Sequence, residues 1–171
     1  MNFSQIASAT TKIAAYTRFI GVGIKPDDKI EPVKKPEPGI SSEIVEIALE
    51  DAENLIKNSG AIIAVDRVHT ALHGYFKAVC LNSNIEFNEN ANLITLWGLI
   101  RQNHPAFDNS TNKNDDIIKM LRNISTIIDS INNIRNKSSV AHPNENLLNE
   151  PEAMLAINLA RSILHYVDSL I

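Results

Sequence analysis

From Ile117 to Ile131 the chain sets Ile117, Leu121, Ile124, Ile128 and Ile131 at alternating intervals of four and three residues. That spacing keeps one side of an α-helix apolar and cannot keep one side of a strand apolar, because strand side chains alternate between faces. This stretch therefore commits the chain to a long helix buried against another helix or another chain. Asn114 stands ahead of it as an N-cap, and Asp115 and Asp116 fall in the first turn, where the helix dipole favours acids. The next position on the seam is Arg135. A guanidinium that closes an apolar stripe needs an anion, a carboxylate or water within reach.

Four further segments carry helical periodicity. Ser42 is placed to cap a helix bearing Ile44, Ile47, Ala48, Leu55 and Ile56, which Asn58-Ser59-Gly60 ends. A second helix is expected from about Ala61 to Leu81, through Ile63, Val65, Val68, Leu72, Phe76 and Val79. A third runs from about Asn92 to Gln102, with Leu93, Leu96, Trp97 and Ile100, and stops at His104-Pro105. The last begins near Glu150, with Asn149 as N-cap, Pro151 in the first turn and Glu152 completing a capping box. Its expected apolar stripe is Leu155, Leu159, Ile163, Val167 and Leu170. No segment alternates as a strand would, so the fold class is all-α.

Residues 1–40 read differently. Gly21 to Gly39 holds four prolines and three glycines and is a linker or a wrapped arm rather than a helix. Phe3 to Ile20 has a helical apolar pattern of its own. The expected division is an N-terminal helix and Pro-rich arm over 1–40, then a helical domain over 41–171. Lys12 and Arg18 interrupt the only candidate leader, no apolar run is long enough for a membrane span, and a single cysteine, Cys80, fits a reducing compartment. We read the chain as cytoplasmic.

A net charge of −4 is unlike that of a nucleic-acid coat protein. Between Ile117 and Pro143, however, Lys119, Arg122, Arg135 and Lys137 are opposed only by Asp129, so one basic face can meet phosphate while the whole is acidic. Arg135 and His142 lie seven residues apart, Arg135 on the last helical turn and His142 on the loop that leaves it, since Pro143 disfavours helix at the histidine. Histidine moves protons near neutral pH, and arginine grips phosphate at two points. The pair suits RNA cleavage without a metal or other cofactor, with Asn136 orienting the phosphate or the imidazole. The spacing alone equally fits a helix-end arginine and a solvent-facing turn histidine.

The segment Ile134 to Glu145, IRNKSSVAHPNE, resembles the Arg-Asn-x5-His motif of HEPN domains, and more narrowly the abortive-infection C-terminal family of bacterial anti-phage proteins. RVHTALHGYFK, Arg67 to Lys77, and EAMLAIN, Glu152 to Asn158, resemble the same family in the same order. The likeness covers about Ser42 to Ile171. It implies a HEPN-type helical bundle in which two protomers join their motifs in one cleft. It further implies a ribonuclease, a toxin-like effector of anti-phage defence or growth arrest, held quiet until infection or a partner releases it, with RNA as substrate and an antitoxin or partner protein as candidate partners. Arg135, Asn136 and His142 match the catalytic motif. Family members often carry glycine after the histidine; Pro143 stiffens that loop here.

His69, His73 and Lys77 share one face of the second helix, and with Arg67 and Lys137 they are candidate RNA contacts. Two histidines four apart could also hold a metal, but no supporting glutamate or cysteine pair accompanies them, and no metal is expected. Arg67 also fits an ion pair with Asp66 or Glu53. His165, with Asn158, Arg161 and Ser162, reads as a solvated face. An alternative function is a non-catalytic helical dimer that binds RNA or protein, with the Ile117–Ile131 seam as its interface.

Overall fold

The computed structural model describes residues 32–108, 114–137 and 148–171. The expected helix at Phe3–Ile20, the start of the Pro-rich arm and the motif segment 138–147, which includes His142, lie outside the described residues. Among the described residues the elements are α1 (Glu43–Asn58), α2 (Ala61–Asn82), α3 (Leu93–Asn103), a short 3-10 turn (Pro105–Phe107), α4 (Asp115–Lys137) and α5 (Glu150–Asp168). The all-α expectation holds, and no helix among them is long and apolar enough to cross a membrane.

The bundle is built around α2, on which α1, α3, α4 and α5 all pack. Its Val65, Val68, Leu72, Phe76 and Val79 are buried as their spacing requires. Phe76 stacks on Trp97 of α3 at 5.6 Å, and Phe107 closes on Trp97 edge-on at 5.5 Å. Small residues bring α1 and α2 together: a Cβ on Gly74 would stand 2.9 Å from Val45 Cγ2, so the contact needs a residue without one. Gly60, at φ +99°, turns the chain from α1 into α2 in a conformation that side chains resist. A Cβ there would also strike the Glu150 carboxylate. That carboxylate accepts from Ala61 N at 2.7 Å, so α5 caps the start of α2 and fixes its own N-terminus against it.

The caps expected for α4 and α5 are formed, and α3 has one that the sequence reading did not name. Asn92 caps α3 through Thr95 N, and the Asn149/Glu152 capping box opens α5 with both bonds formed. Asp116 N donates to Asn114 Oδ1 at the start of α4. Ser42 stands at the N-cap of α1 but makes no side-chain cap.

The buried faces differ from expectation in three helices. On α1, Ile44 and Ile47 are 66% and 54% exposed, while Val45, Leu49 and Ala52 face α2. On α5, Leu155 is 55% exposed, while Ile163 and Val167 of the expected stripe are buried together with Ala153, Ala156, Ile157, Ala160 and Leu164. Both helices have apolar residues on more than one side, and the position of α2 selects among them. On α4 the seam runs inward from Leu121 through Ile128 and Ile131, with Ile117 exposed at its start. Leu121, Ile128 and Ile131 are therefore buried within the protomer.

Of the polar stripe of α5 only Ser162 is exposed as expected. Residues 33–39 lie along the other three. Val33 N donates to Asn158 Oδ1 at 2.7 Å, Arg161 Nη1 donates to Val33 O at 2.8 Å, His165 Nε2 meets Lys34 O at 2.9 Å, and Gly39 N donates to Asp168 Oδ1 at 2.9 Å. Pro36 is buried beneath. Arg161 is only 1% exposed and is paired with Glu53 of α1. Glu53, expected as a partner for Arg67, serves Arg161 instead.

A buried guanidinium that loses its carboxylate is costly because its charge is no longer compensated. Glu53→Ala should lower stability by about 3 kcal/mol in urea unfolding. A loss under about 1 kcal/mol, the size of a surface pair, would show that Val33 O and solvent satisfy Arg161 without it.

Candidate functional site

α2 leaves one polar strip. Asp66, His69, Thr70, His73 and Lys77 recur at helical spacing along it. The last turns of α4 cross this strip. Arg135 Nε donates to Asp66 Oδ1 at 2.9 Å, and Arg135 Nη1 donates to Asn136 Oδ1 at 3.1 Å. One turn earlier, Asn132 Oδ1 lies 3.2 Å from His69 Nε2. Two bonds thus lock α4 to α2 at the point where the apolar seam ends, and Asp66 is the carboxylate that the seam's terminal arginine requires.

The far half of the strip is closed by the connection between α2 and α3. His73 Nε2 meets Ala91 O at 2.9 Å, and Lys77 Nζ donates to Glu89 O at 2.9 Å. His69, His73 and Lys77 from α2, Asn132 and Arg135 from α4, and residues 89–93 together line an open cleft of about 420 Å³. A larger hollow of about 710 Å³ sits at the end of α3 between Gly98 and Asp108. It contains none of the motif residues, so the chemistry is argued from the smaller cleft.

Charge is unevenly spread in the cleft. Burial, above all, holds both imidazoles below the ordinary histidine range, and the nearby Arg135 pushes each the same way. The Asn132 bond on His69 and the Ala91 bond on His73 oppose this only partly. Both rings are therefore neutral near pH 7, and a carbonyl oxygen facing each Nε2 makes that nitrogen the protonated one. Cations remain at the two ends, Arg135 and Lys77. The ring centroids are 6.2 Å apart and tilted by 60°, and each Nε2 turns to its own oxygen rather than to a shared point. Among the described residues no group of three or more His, Cys, Asp or Glu could hold a metal ion.

Five of the residues singled out in the sequence, His69, His73, Lys77, Arg135 and Asn136, are thus gathered at or beside one cleft. Arg67 is not among them: it points back toward α1, with Nε 3.6 Å from Asp51 Oδ2 and Nη1 3.8 Å from Asp66 Oδ2. A step of one residue on a helix turns the side chain by about 100°, which takes Arg67 off the strip. Lys137 ends α4, but its side chain, like all of His142, is outside the described residues. Asn132 was not singled out in the sequence, and Asp66 was named only as a partner for Arg67, not for Arg135. Asp66 precedes His69 by one turn and Asn132 precedes Arg135 by one turn, so the strip itself held the signal. Cys80 is buried and its thiol is pushed up to about 11 by that burial, which leaves it unreactive as a nucleophile.

Because His69 and His73 are held below their unfolded value, near 6.5, folding favours their neutral forms. Their contribution to stability is complete above about pH 7 and is lost as pH falls through their lowered folded values. The melting temperature should therefore drop between pH 7 and pH 5, and less steeply in a His69→Asn/His73→Asn chain. Parallel pH profiles for the two proteins would exclude this origin.

The family model Abi_C, a HEPN-like domain, matches residues 43–169, the whole of the bundle from α1 through α5. The chain belongs to this family of HEPN-like domains. No curated protein and no solved structure gives a significant match.

Proposed function

We propose that this HEPN-like chain is a metal-independent endoribonuclease acting in anti-phage defence or growth arrest. Arg135 and His142 from two protomers form its composite site. The observation that carries the reading is the position of Arg135. It sits beside a cleft lined by neutral histidines and a lysine, oriented by the Asp66 carboxylate at 2.9 Å. A guanidinium held on one edge by a carboxylate has a fixed direction, which is what two-point recognition of a phosphate needs.

The reaction follows from these groups. One His142 imidazole takes the proton of a ribose 2′-hydroxyl, and the oxygen attacks the adjacent phosphorus. The bond to the 5′-oxygen breaks, and the second His142 returns a proton to that leaving oxygen. The products are a 2′,3′-cyclic phosphate and a 5′-hydroxyl, with no water consumed in this step. Arg135 offsets the charge that builds on the phosphorane, and Asn136, bonded to Arg135 Nη1, keeps the guanidinium in place. Asp66 and Asn132 are positioning residues, since they act through Arg135 and His69. RNA is the substrate, and an antitoxin or partner protein is the expected restraint.

The second copy has a surface available. Between α4 and α5, Ile127, Ile131, Ile134, Leu148, Leu155 and Leu159 line an apolar groove of about 330 Å³ that the described residues leave open. Ile134 and Leu148 stand on either side of the motif in the sequence, and pairing of two copies across this groove is the arrangement proposed to join the two motifs. The non-catalytic dimer would use this same groove.

The test is cleavage of total RNA in EDTA. The wild-type chain should cut, and His142→Ala and Arg135→Ala should each cut about 100-fold more slowly or worse. Adding an excess of a His142→Ala/Arg135→Ala double variant to the wild-type chain should depress cleavage, because each mixed dimer holds only one intact histidine where the step uses two. Equal cleavage by wild type and His142→Ala removes the enzyme reading. Cleavage that the added double variant does not lower removes the composite site.

A further inference from the structure

The connection from α2 to α3 has more order than linking two helices demands. Asn88 O accepts from Ala91 N at 2.8 Å, and Asn88 Oδ1 accepts from Asn90 N at 2.8 Å. Two carbonyls of this folded segment then fix two side chains of α2. Lys77 Nζ donates to Glu89 O and His73 Nε2 meets Ala91 O, each at 2.9 Å. Both side chains are half-buried and line the cleft, one helical turn apart on the same face. Held in this way, they meet a ligand without further ordering.

What each group still offers follows from the bond it has made. The ammonium has three N–H donors and uses one on Glu89 O, so its charge and two donors remain. The neutral imidazole gives its Nε2 proton to Ala91 O, which leaves Nδ1 as an acceptor. Among the described residues, the buried side-chain nitrogen and oxygen atoms without a partner are Trp97 Nε1 and Arg161 Nε. His73 Nδ1 has no partner in the protein and is not one of them. It is therefore open to solvent, and the opening that His73 lines is the cleft.

A cation and a single acceptor one turn apart match two neighbouring groups of an RNA strand, a phosphate and the 2′-hydroxyl beside it. The hydroxyl donates to Nδ1 and asks nothing more of the site. A base edge sets acceptors next to its donors, and those would be left without partners. Deoxyribose has no donor at this position. Asp66, which holds Arg135, stands eleven residues before Lys77, about 16 Å by the helical rise. A strand gripped at Lys77 therefore runs lengthwise along the cleft, with more than one nucleotide between the two cations.

We propose that His73 and Lys77 form a ribose-reading grip on single-stranded RNA, Lys77 on a phosphate and His73 Nδ1 accepting from the adjacent 2′-hydroxyl. The proposal rests on the reading of the cleft as an RNA site, but not on catalysis. His73 is then a specificity residue that separates RNA from DNA away from the scissile bond, while Arg135 and His142 act on the bond itself.

Binding of labelled pentanucleotides to the full-length His142→Ala chain, read by fluorescence anisotropy, tests this without turnover. Oligouridylate should bind about fivefold tighter than its 2′-deoxy and 2′-O-methyl counterparts, which lack the hydroxyl donor. Oligoadenylate should show the same preference. Two substitutions separate reading from packing. His73→Asn keeps an acceptor at the place of Nδ1 but loses the bond to Ala91 O, and it should retain the preference. His73→Gln keeps an N–H for Ala91 O but moves the acceptor away. It should bind all three sugars alike, with deoxy affinity unchanged. Lys77→Ala should weaken every oligonucleotide and flatten the salt dependence of binding. Equal affinity for ribose and deoxyribose strands, no binding of either, or a preference that follows the base rather than the sugar overturns the grip. So does a preference lost in His73→Asn or kept in His73→Gln. Ribose-selective binding in a protein whose wild-type chain leaves RNA uncut retains the grip and removes the nuclease. RNA cutting by a chain that binds both sugars alike does the reverse.

Discussion

The central helix α2 has to be buried on almost every side, and the rest of the structure follows from that requirement. Its Val65, Val68, Leu72, Phe76, Val79 and the alanines between them are covered by four other helices. What burial cannot cover is the strip that carries Asp66, His69, His73 and Lys77, because each of these groups would lose its water without a replacement partner. The fold supplies partners one by one, Arg135, Asn132 and the carbonyls of Ala91 and Glu89. A polar cleft forms there because the helix that holds it has its other faces buried.

Two arginine–carboxylate pairs show how exposure divides structure from chemistry. Arg161 and Glu53 join α5 to α1 under residues 33–39, with the guanidinium out of contact with solvent. Such a charge is locked, and its role is to hold the arm and two helices in one arrangement. Arg135 and Asp66 use the same chemistry at the cleft, with the arginine side chain 38% exposed. There the carboxylate aims a cation that a ligand can still approach. Neither pair is distinguishable from the other by residue type. Only their depth separates a strut from a candidate site.

Much of the bundle was legible because it depends on neighbours in the chain. The capping of α4 and α5 rests on residues two or three positions apart, and the Leu121–Ile131 seam on spacing alone. The inward side of α1 and α5 was legible only in part: Ala48, Ile163 and Val167 are buried as expected, whereas Ile44, Ile47 and Leu155 are exposed. Ile44 and Val45 are equally apolar, and which of them meets the core depends on where α2 lies. The polar stripe of α5 was misread for a related reason: Asn158, Arg161 and His165 bond to the backbone of Val33 and Lys34, more than 120 residues away, and backbone atoms carry no sequence signature.

The candidate site divides along the same line. Sequence by itself determined an all-helical chain with family motifs in order, and it identified Arg135 as an arginine in need of an anion. It also put His69, His73 and Lys77 on one helical face, since periodicity is a property of the helix alone. That Asp66 is the anion, that Asn132 meets His69, and that the carbonyls of Ala91 and Glu89 meet His73 and Lys77 were decided only by the tertiary structure. Those pairings join residues on different elements, and their geometry is set by how α2, α3 and α4 pack rather than by any spacing along the chain.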